Sequence, residues 1–468
     1  MPSIALPPGT HYAVTWGIPD QFAGMTTSML QRSRAFVKYA GVDVTIVTFE
    51  PNESYQPVRE RLRELGAMVD GMHLVNMWED LRSWGDDQLR QAAFSCDTPD
   101  GFEPIGSRGK AKSGFRRELL DDRGKIVQTD HLRDNGTPLV CEQRLPSGDR
   151  VVTLCDRSGQ PLGSWRWFTN VLWLWLDSLP RDPVAWMIID SKSSAEWMVP
   201  YQRPDVAKMH VVRGSHLRRA DKGPMGELFP GRSRAMQNLD AWDAVTFLTH
   251  RQKEDVEERF GPQENLNVIP NSRRVPTRLR NLRRRRDSGV MLATLDRRKR
   301  IEHAIQAMAK VQKRLPGRNL TLDVWGQGPR ESDLQEAIES SGAPVRLRGH
   351  SPNAAEAFSK ASFSVLTSRA EAFANVIIES MGRGCIPISY DTPYGPSDII
   401  THGVDGYLVP FGDVKALAVQ IEEVISLSPW KLAKMRRAAH RRALEFSDER
   451  SVRQWESLMA KVAVKRGF

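Results

Sequence analysis

Short apolar runs alternate with amphipathic stretches along most of the chain. Residues 11–16 and 42–49 form two apolar segments separated by the loop GIPDQFAGMTTS and an amphipathic stretch ending at Ala40. This is the β-loop-α-β start of a doubly wound α/β fold. Residues 184–190 (VAWMIID) are apolar without alternation, as a strand buried on both faces requires, and put Asp190 at the strand's carboxyl end. Residues 208–212 predict the next strand. They lead into RGSHL and so place His216 on a loop at that same sheet edge. Strands at 244–248 and 267–269, with a helix over 252–260, complete this half. A second series follows: strands at 290–295, 320–325, 345–349, 362–367, 386–389 and 406–409, with helices over 301–314 and 354–360. Residues 414–463 predict charged helices, the last anchored by Trp455.

Between residues 101 and 165 the pattern changes. Turn signals recur at Asp122-Arg123-Gly124, Asp134-Asn135-Gly136, Ser147-Gly148-Asp149 and Arg157-Ser158-Gly159, with strand-like segments between them. Such spacing predicts a β-meander inserted into the first domain. A sheet of this size cannot bury both faces alone, so it should pack on its domain or on another subunit.

Composition narrows the classes. No run approaches the length of a membrane helix, and the start MPSIALPPGTHYAV lacks the charged leader and apolar core of a signal peptide, so a cytoplasmic protein is expected. Cys96, Cys141, Cys155 and Cys385 show no CxxC pair and no zinc spacing. A net charge of +10 points to an anionic partner, or to high arginine usage alone. Eight arginines lie between Arg273 and Arg286, in a stretch (271–288) that predicts a basic linker able to meet an anionic surface or polymer. A nicotinamide enzyme is disfavoured, because only Gly17 and Gly24 follow the first strand where GxGxxG is needed.

The chemistry concentrates in TSRAEAFANVIIESMGRGC. The apolar run Val376, Ile377, Ile378, Met381 predicts a helix ended by Gly382 and Gly384, with Glu371 just before it and Glu379 inside it. A helix start exposes unpaired N–H groups and the positive end of the dipole, so the backbone around Phe373, Ala374 and Asn375 can cradle a phosphate or diphosphate. Carboxylates on either side of that cradle would accept bonds from sugar and ribose hydroxyls.

These motifs resemble the GT-B retaining glycosyltransferases of family 4. Glu371-x7-Glu379 is similar to the family's E-x7-E element, with Ala372 where glycine is usual, and Lys299 in TLDRRKRIEHAI is similar to the lysine that neutralises the donor diphosphate. The arginine usually found five positions before that lysine is Thr294 here, with Arg297, Arg298 and Arg300 as candidate substitutes. FAGMTTSML, SHL, NVIPN, NLDAWDAVTFLTHRQKEDVEERFG and SYDTPYGPSDII resemble the poly(glycerol-phosphate) and poly(ribitol-phosphate) α-glycosyltransferases of wall teichoic acid.

The resemblance implies an α/β, GT-B fold of two Rossmann-like domains: an acceptor-side domain over 1–100 and 166–270, carrying a β-rich insertion at 101–165, and a nucleotide-sugar-binding domain over 289–445. A C-terminal helix, 446–468, would return to the first domain. It implies transfer of glucose or N-acetylglucosamine from a UDP-sugar to a hydroxyl of a cell-wall polymer, with His216, Glu371 and Lys299 catalytic. Gly24, Arg298, Phe373, Ala374, Asn375 and Glu379 would bind the donor. No cofactor and no metal ion is expected, because no Asp-x-Asp element is present. The alternatives are a protein O-glycosyltransferase acting on Ser/Thr, a non-catalytic GT-B partner subunit, and a polyanion-binding protein. Association with the inner membrane surface and a homo-oligomer formed through the insertion are further expectations.

Overall fold

The computed structural model describes residues 4–20, 22, 24–52, 54–93, 110–145, 147–279, 284–351 and 353–468. Contacts divide the chain into an N-terminal unit, Pro8–Thr26 with Val42–Lys208, and a C-terminal unit, Met1–Pro7 with Thr27–Gly41 and Met209–Phe468.

The N-terminal unit is built on parallel strands β1 (Thr10–Val14), β2 (Val44–Thr48) and β3 (Met72–Asn76), then an antiparallel sheet of β4 (Lys110–Ser113), β5 (Arg116–Leu120), β6 (Ile126–Leu132), β7 (Pro138–Arg144), β8 (Arg150–Cys155) and β9 (Pro161–Trp165), and finally β10 (Ala185–Ile189). Strand β1 lies between β10 and β2, and β2 pairs with β3, all parallel. Every residue of β10 is buried, which is why this run shows no polar alternation.

The six insertion strands pair in sequence order, the expected meander. Gly124, Gly136, Gly148 and Gly159 occupy its turns at positive φ. Residues 101–109, where the insertion was expected to begin, fall outside the described residues, as does Cys96. The meander docks on its own unit through aromatic rings: Trp78 stacks on His131 at 4.0 Å and on Phe168 at 5.8 Å, and Glu142 holds the His131 ring at 2.9 Å.

The C-terminal unit contains β11 (Val206–Val211, within which the division falls), β12 (Ala244–Phe247) and β13 (Leu266–Val268), with β12 parallel to both neighbours. Its larger sheet comprises β14 (Arg285–Leu292), β15 (Thr321–Trp325), β16 (Val345–Leu347), β17 (Ala361–Leu366), β18 (Ile386–Tyr390) and β19 (Tyr407–Val409), in the parallel order β16-β15-β14-β17-β18-β19. Helices Ile301–Arg314 and Val414–Ser426 share its main apolar core with Leu322, Val324 and Ile388. The last helix, Asp448–Arg466, packs on helix Met25–Ala40: the Trp455 ring meets Phe36 edge-on at 6.1 Å, and Gln31 donates to Asp448 at 2.8 Å.

The structure shortens the basic linker expected over 271–288. Strand β14 already begins at Arg285, and several of the arginines are structural. Arg284 donates to the carbonyls of Phe358 (2.7 Å), Ala361 (2.8 Å) and Arg383, and Arg286 to those of Ile425 (2.9 Å) and Leu427. A guanidinium has five donors in a fixed fork, so one side chain can satisfy carbonyls from separate elements. Arg280 and Arg283 lie outside the described residues.

Arg284→Met leaves the carbonyls of Phe358, Ala361 and Arg383 without this donor. It should lower the unfolding free energy by about 2–4 kcal/mol in urea titrations. The salt concentration that elutes the folded variant from an anionic resin should stay near the wild-type value.

Candidate functional site

Strands β14 and β17 are parallel neighbours, so the loops at their carboxyl ends lie side by side, which is how residues far apart in sequence meet. Thr367 Oγ1 donates to the Lys299 carbonyl at 2.8 Å, and the Arg369 N–H to that of Arg298 at 2.7 Å. Lys299 Nζ then reaches Glu371 Oε1 at 2.5 Å, with both side chains mostly buried. Gly326 and Gly328 fix the first loop from beneath: a Cβ on Gly326 would stand 1.9 Å from the Ala293 carbonyl oxygen, and one on Gly328 2.6 Å from that of Leu295. The GxG there serves close backbone packing.

Helix Asn375–Gly382 starts at Ala374, which is left-handed (φ 57°, ψ 53°) and offers no side-chain cap. The position where a glycine is usual, Ala372, needs no positive φ; the left-handed conformation falls two residues later. The Phe373 ring is buried edge-on against Phe446 at 5.7 Å, which leaves only its backbone at the helix start. Glu379 has one carboxylate oxygen engaged: Arg273 Nε donates to it at 3.0 Å. Arg273 is itself buried, and burial lowers its pKa despite the carboxylate beside it.

His216 is fully buried and neither ring nitrogen has a hydrogen-bond partner. Burial, with Arg259 and Arg232 nearby, pushes its pKa down to about 4, so the imidazole is neutral at physiological pH. Its ring lies at 6.1 Å and 21° from that of Tyr394. The Tyr394 N–H donates to the Glu371 carbonyl at 2.8 Å, the Glu371 N–H to the Pro393 carbonyl at 3.0 Å, and the Tyr394 hydroxyl to Asp255 at 2.5 Å. Asp398, four residues on, accepts from the His250 N–H at 2.5 Å. Sequence reasoning missed Tyr394, Asp255, Asp398 and Arg273 as parts of the site. The signal available was the segment YGPSD, whose Pro and Gly mark a tight, fixed loop.

The structure thus brings Lys299, Glu371, Phe373, Ala374, Asn375 and Glu379 together, and joins His216 to them through Tyr394. Arg298 stands on the same loop, largely exposed and bridged to Asp296 at 2.8 Å, which raises its pKa. Arg300 is left-handed (φ 46°) and lays its guanidinium over Phe411. Arg297 and Thr294 are exposed. Gly24 belongs to the N-terminal unit, where it enters helix Met25–Ala40 at φ 56° with open space where a Cβ would stand. Among the described residues no three His, Cys, Asp or Glu side chains converge as metal ligands.

Residues 283–443 match the family described as glycosyl transferases group 1. Among relatives, the chain is 35% identical over 233 residues to an exopolysaccharide phosphotransferase of Streptomyces coelicolor, covering 48% of this chain and 24% of that one. It is 22% identical to the poly(glycerol-phosphate) alpha-glucosyltransferase of Bacillus subtilis, over 90% of this chain and 70% of that one. The chain therefore spans about a quarter of the first relative's length. Among solved structures, a variant of S. aureus TarM in complex with fondaparinux, alpha-GlcNAc-glycerol and UDP superposes with a TM-score of 0.72 at 19% identity, covering 97% of this chain and all of that one. That likeness establishes the GT-B fold expected from the sequence.

Two outcomes follow from this geometry. The His216 imidazole should titrate near pH 4 by NMR. Because its folded pKa lies below the unfolded value near 6.5, the unfolded chain binds the proton first, so stability is unaffected above pH 6.5 and falls as pH drops towards 4. The loss approaches about 3 kcal/mol and should be absent in His216→Phe. Ala374→Gly removes the left-handed penalty of about 1–2 kcal/mol but adds unfolded-state entropy of up to about 1 kcal/mol, so its urea midpoint should equal or slightly exceed wild type.

Proposed function

We propose, for a chain whose residues 283–443 are a group 1 glycosyl transferase segment, that the protein is a retaining glycosyltransferase. It moves glucose or N-acetylglucosamine from a UDP-sugar to a hydroxyl of a cell-wall polymer of the polyol-phosphate type. The observation that carries this reading is the Lys299–Glu371 contact beside the uncapped start of helix Asn375–Gly382, with neutral His216 fixed to the same loop by Tyr394.

The chemistry follows from what such a transfer demands. Cleaving a sugar–phosphate bond builds negative charge on the leaving diphosphate and positive character on the sugar ring. Lys299 has three N–H donors and Glu371 engages one, leaving the others for diphosphate oxygens. The N–H groups at the start of the helix add partial positive charge without a counter-ion. Glu371 accepts from sugar hydroxyls, which fixes the ring against the acceptor, and Glu379 accepts from the ribose through the oxygen that Arg273 leaves open. A neutral, unpartnered His216 can donate from one ring nitrogen and accept at the other, as a sugar hydroxyl requires. These charges come from side chains and backbone, so activity is proposed to be independent of added metal. The acceptor class rests on similarity to the B. subtilis enzyme. Attachment at a membrane surface and assembly through the meander are proposed as well; no described helix is long and apolar enough to cross a membrane.

Incubating the protein with radiolabelled UDP-glucose or UDP-N-acetylglucosamine, poly(glycerol phosphate) and a chelator should label the polymer. Without polymer, slow donor hydrolysis should remain. Glu371→Gln and Lys299→Met should each lower kcat by about 10²–10³-fold with little change in melting temperature. Absence of both transfer and hydrolysis with either donor sinks the proposal.

A further inference from the structure

We propose that Arg213 and Asn271 fix the side chain of Asn375 as an amide donor aimed at the anionic group cradled by the start of helix Asn375–Gly382. The site would then hold a diphosphate with a side chain as well as with backbone. This rests on reading the site as one for a nucleotide sugar.

The argument is one of hydrogen-bond polarity. An asparagine amide can be turned to present either its oxygen or its nitrogen, and its neighbours decide which. A guanidinium has donors only. Arg213 Nη1 donates to Asn271 Oδ1, so the Asn271 nitrogen must face the other way. There Nδ2 donates to Asn375 Oδ1 at 3.2 Å. Asn375 therefore has its oxygen engaged, and its own Nδ2 ends the chain with no partner among the described residues. Asn271, the middle link, is 8% exposed, so water cannot readily take over its bonds.

The chain ends on a donor at a place already rich in donors. Ala374 at the N-cap has no side-chain oxygen to accept from the helix N–H groups, and the relay prevents Asn375 from turning its own oxygen towards them. The relay runs from a guanidinium through two amides to the first residue of a helix whose unpaired N–H groups carry partial positive charge. The two carboxylates that flank this helix start in sequence are each ion-paired, Glu371 with Lys299 and Glu379, through one oxygen, with Arg273. An anionic ligand with more than one acceptor oxygen satisfies this arrangement. Asn375 would touch that ligand, whereas Arg213 and Asn271 are positioning residues acting through it.

Calorimetric titrations of the full chain with UDP, inorganic pyrophosphate and uridine test the relay. Asn375→Ala should weaken UDP and pyrophosphate about tenfold and leave uridine unchanged, since one hydrogen bond to a charged group is lost. Arg213→Met should cost about the same alone and nothing further in the Asn375→Ala background, while Arg213→Lys, which keeps a donor, should recover most of the affinity. Asn375→Asp, near-isosteric and so safe for folding, should weaken both phosphate ligands by more than a hundredfold. Unchanged UDP binding in the Asn375 variants, losses that add between Arg213 and Asn375, or equal losses for uridine overturn the relay. Wild-type protein that binds pyrophosphate but neither UDP nor UDP-sugars overturns the nucleotide-sugar reading and leaves the relay standing; wild type that binds neither UDP nor pyrophosphate overturns both.

Discussion

Tyr394 is the side chain on which the geometry of the site depends. Its ring lies against His216, its N–H holds the Glu371 carbonyl, and its hydroxyl holds Asp255 on helix His250–Phe260. Each of those partners sits on a different stretch of chain, and two of them on loops. Loops are ordinarily the most variable parts of a fold. A fully buried tyrosine anchored at three points removes that freedom, because displacing any partner would strand a buried polar group or open a void. Burial and the Asp255 carboxylate both raise the phenol pKa, so it remains a hydrogen-bond donor at any physiological pH.

Charge inside the C-terminal unit is organised around the same need. Arg273 is almost completely buried, which would be costly for a lone guanidinium. Its donors go to Glu379, Ser28, Gln31 and the Ser272 carbonyl, and its N–H to the Phe446 carbonyl. The result fixes Glu379 with one oxygen engaged while the other stays available. Arg284 and Arg286 serve the backbone in the same way, tying β14 to the ends of neighbouring elements. Two arginines of this stretch thus satisfy carbonyls where strands and helices end, while Arg274, Arg278 and Arg285 are exposed.

Much of the fold was legible because its signals are local. The unbroken apolar run of β10, the glycine turns of the meander and the glycine-terminated helix after Glu371 each depend on residues adjacent in sequence. The pairing of Glu371 with the loop of Lys299 could be anticipated from a family resemblance, and its physical basis is the adjacency of parallel strands β14 and β17. The arginine-rich stretch was legible only in part for the complementary reason. Charge is visible in sequence, but whether a guanidinium faces solvent or a cluster of carbonyls depends on elements about 70 to 140 residues away.

By itself the sequence determined the order of strands and helices, the meander and its turns, and which residues could carry phosphate and sugar chemistry. Hydrophobic period and turn chemistry act over a few residues, so they survive without the fold. Only the tertiary structure decided that Tyr394 joins His216 to Glu371, that Arg273 engages one oxygen of Glu379, and that Arg213 and Asn271 set the direction of the Asn375 amide. Those are hydrogen bonds and ring contacts between segments distant in sequence. Their partners are chosen by which strand ends the sheets place side by side, and no local pattern encodes that choice.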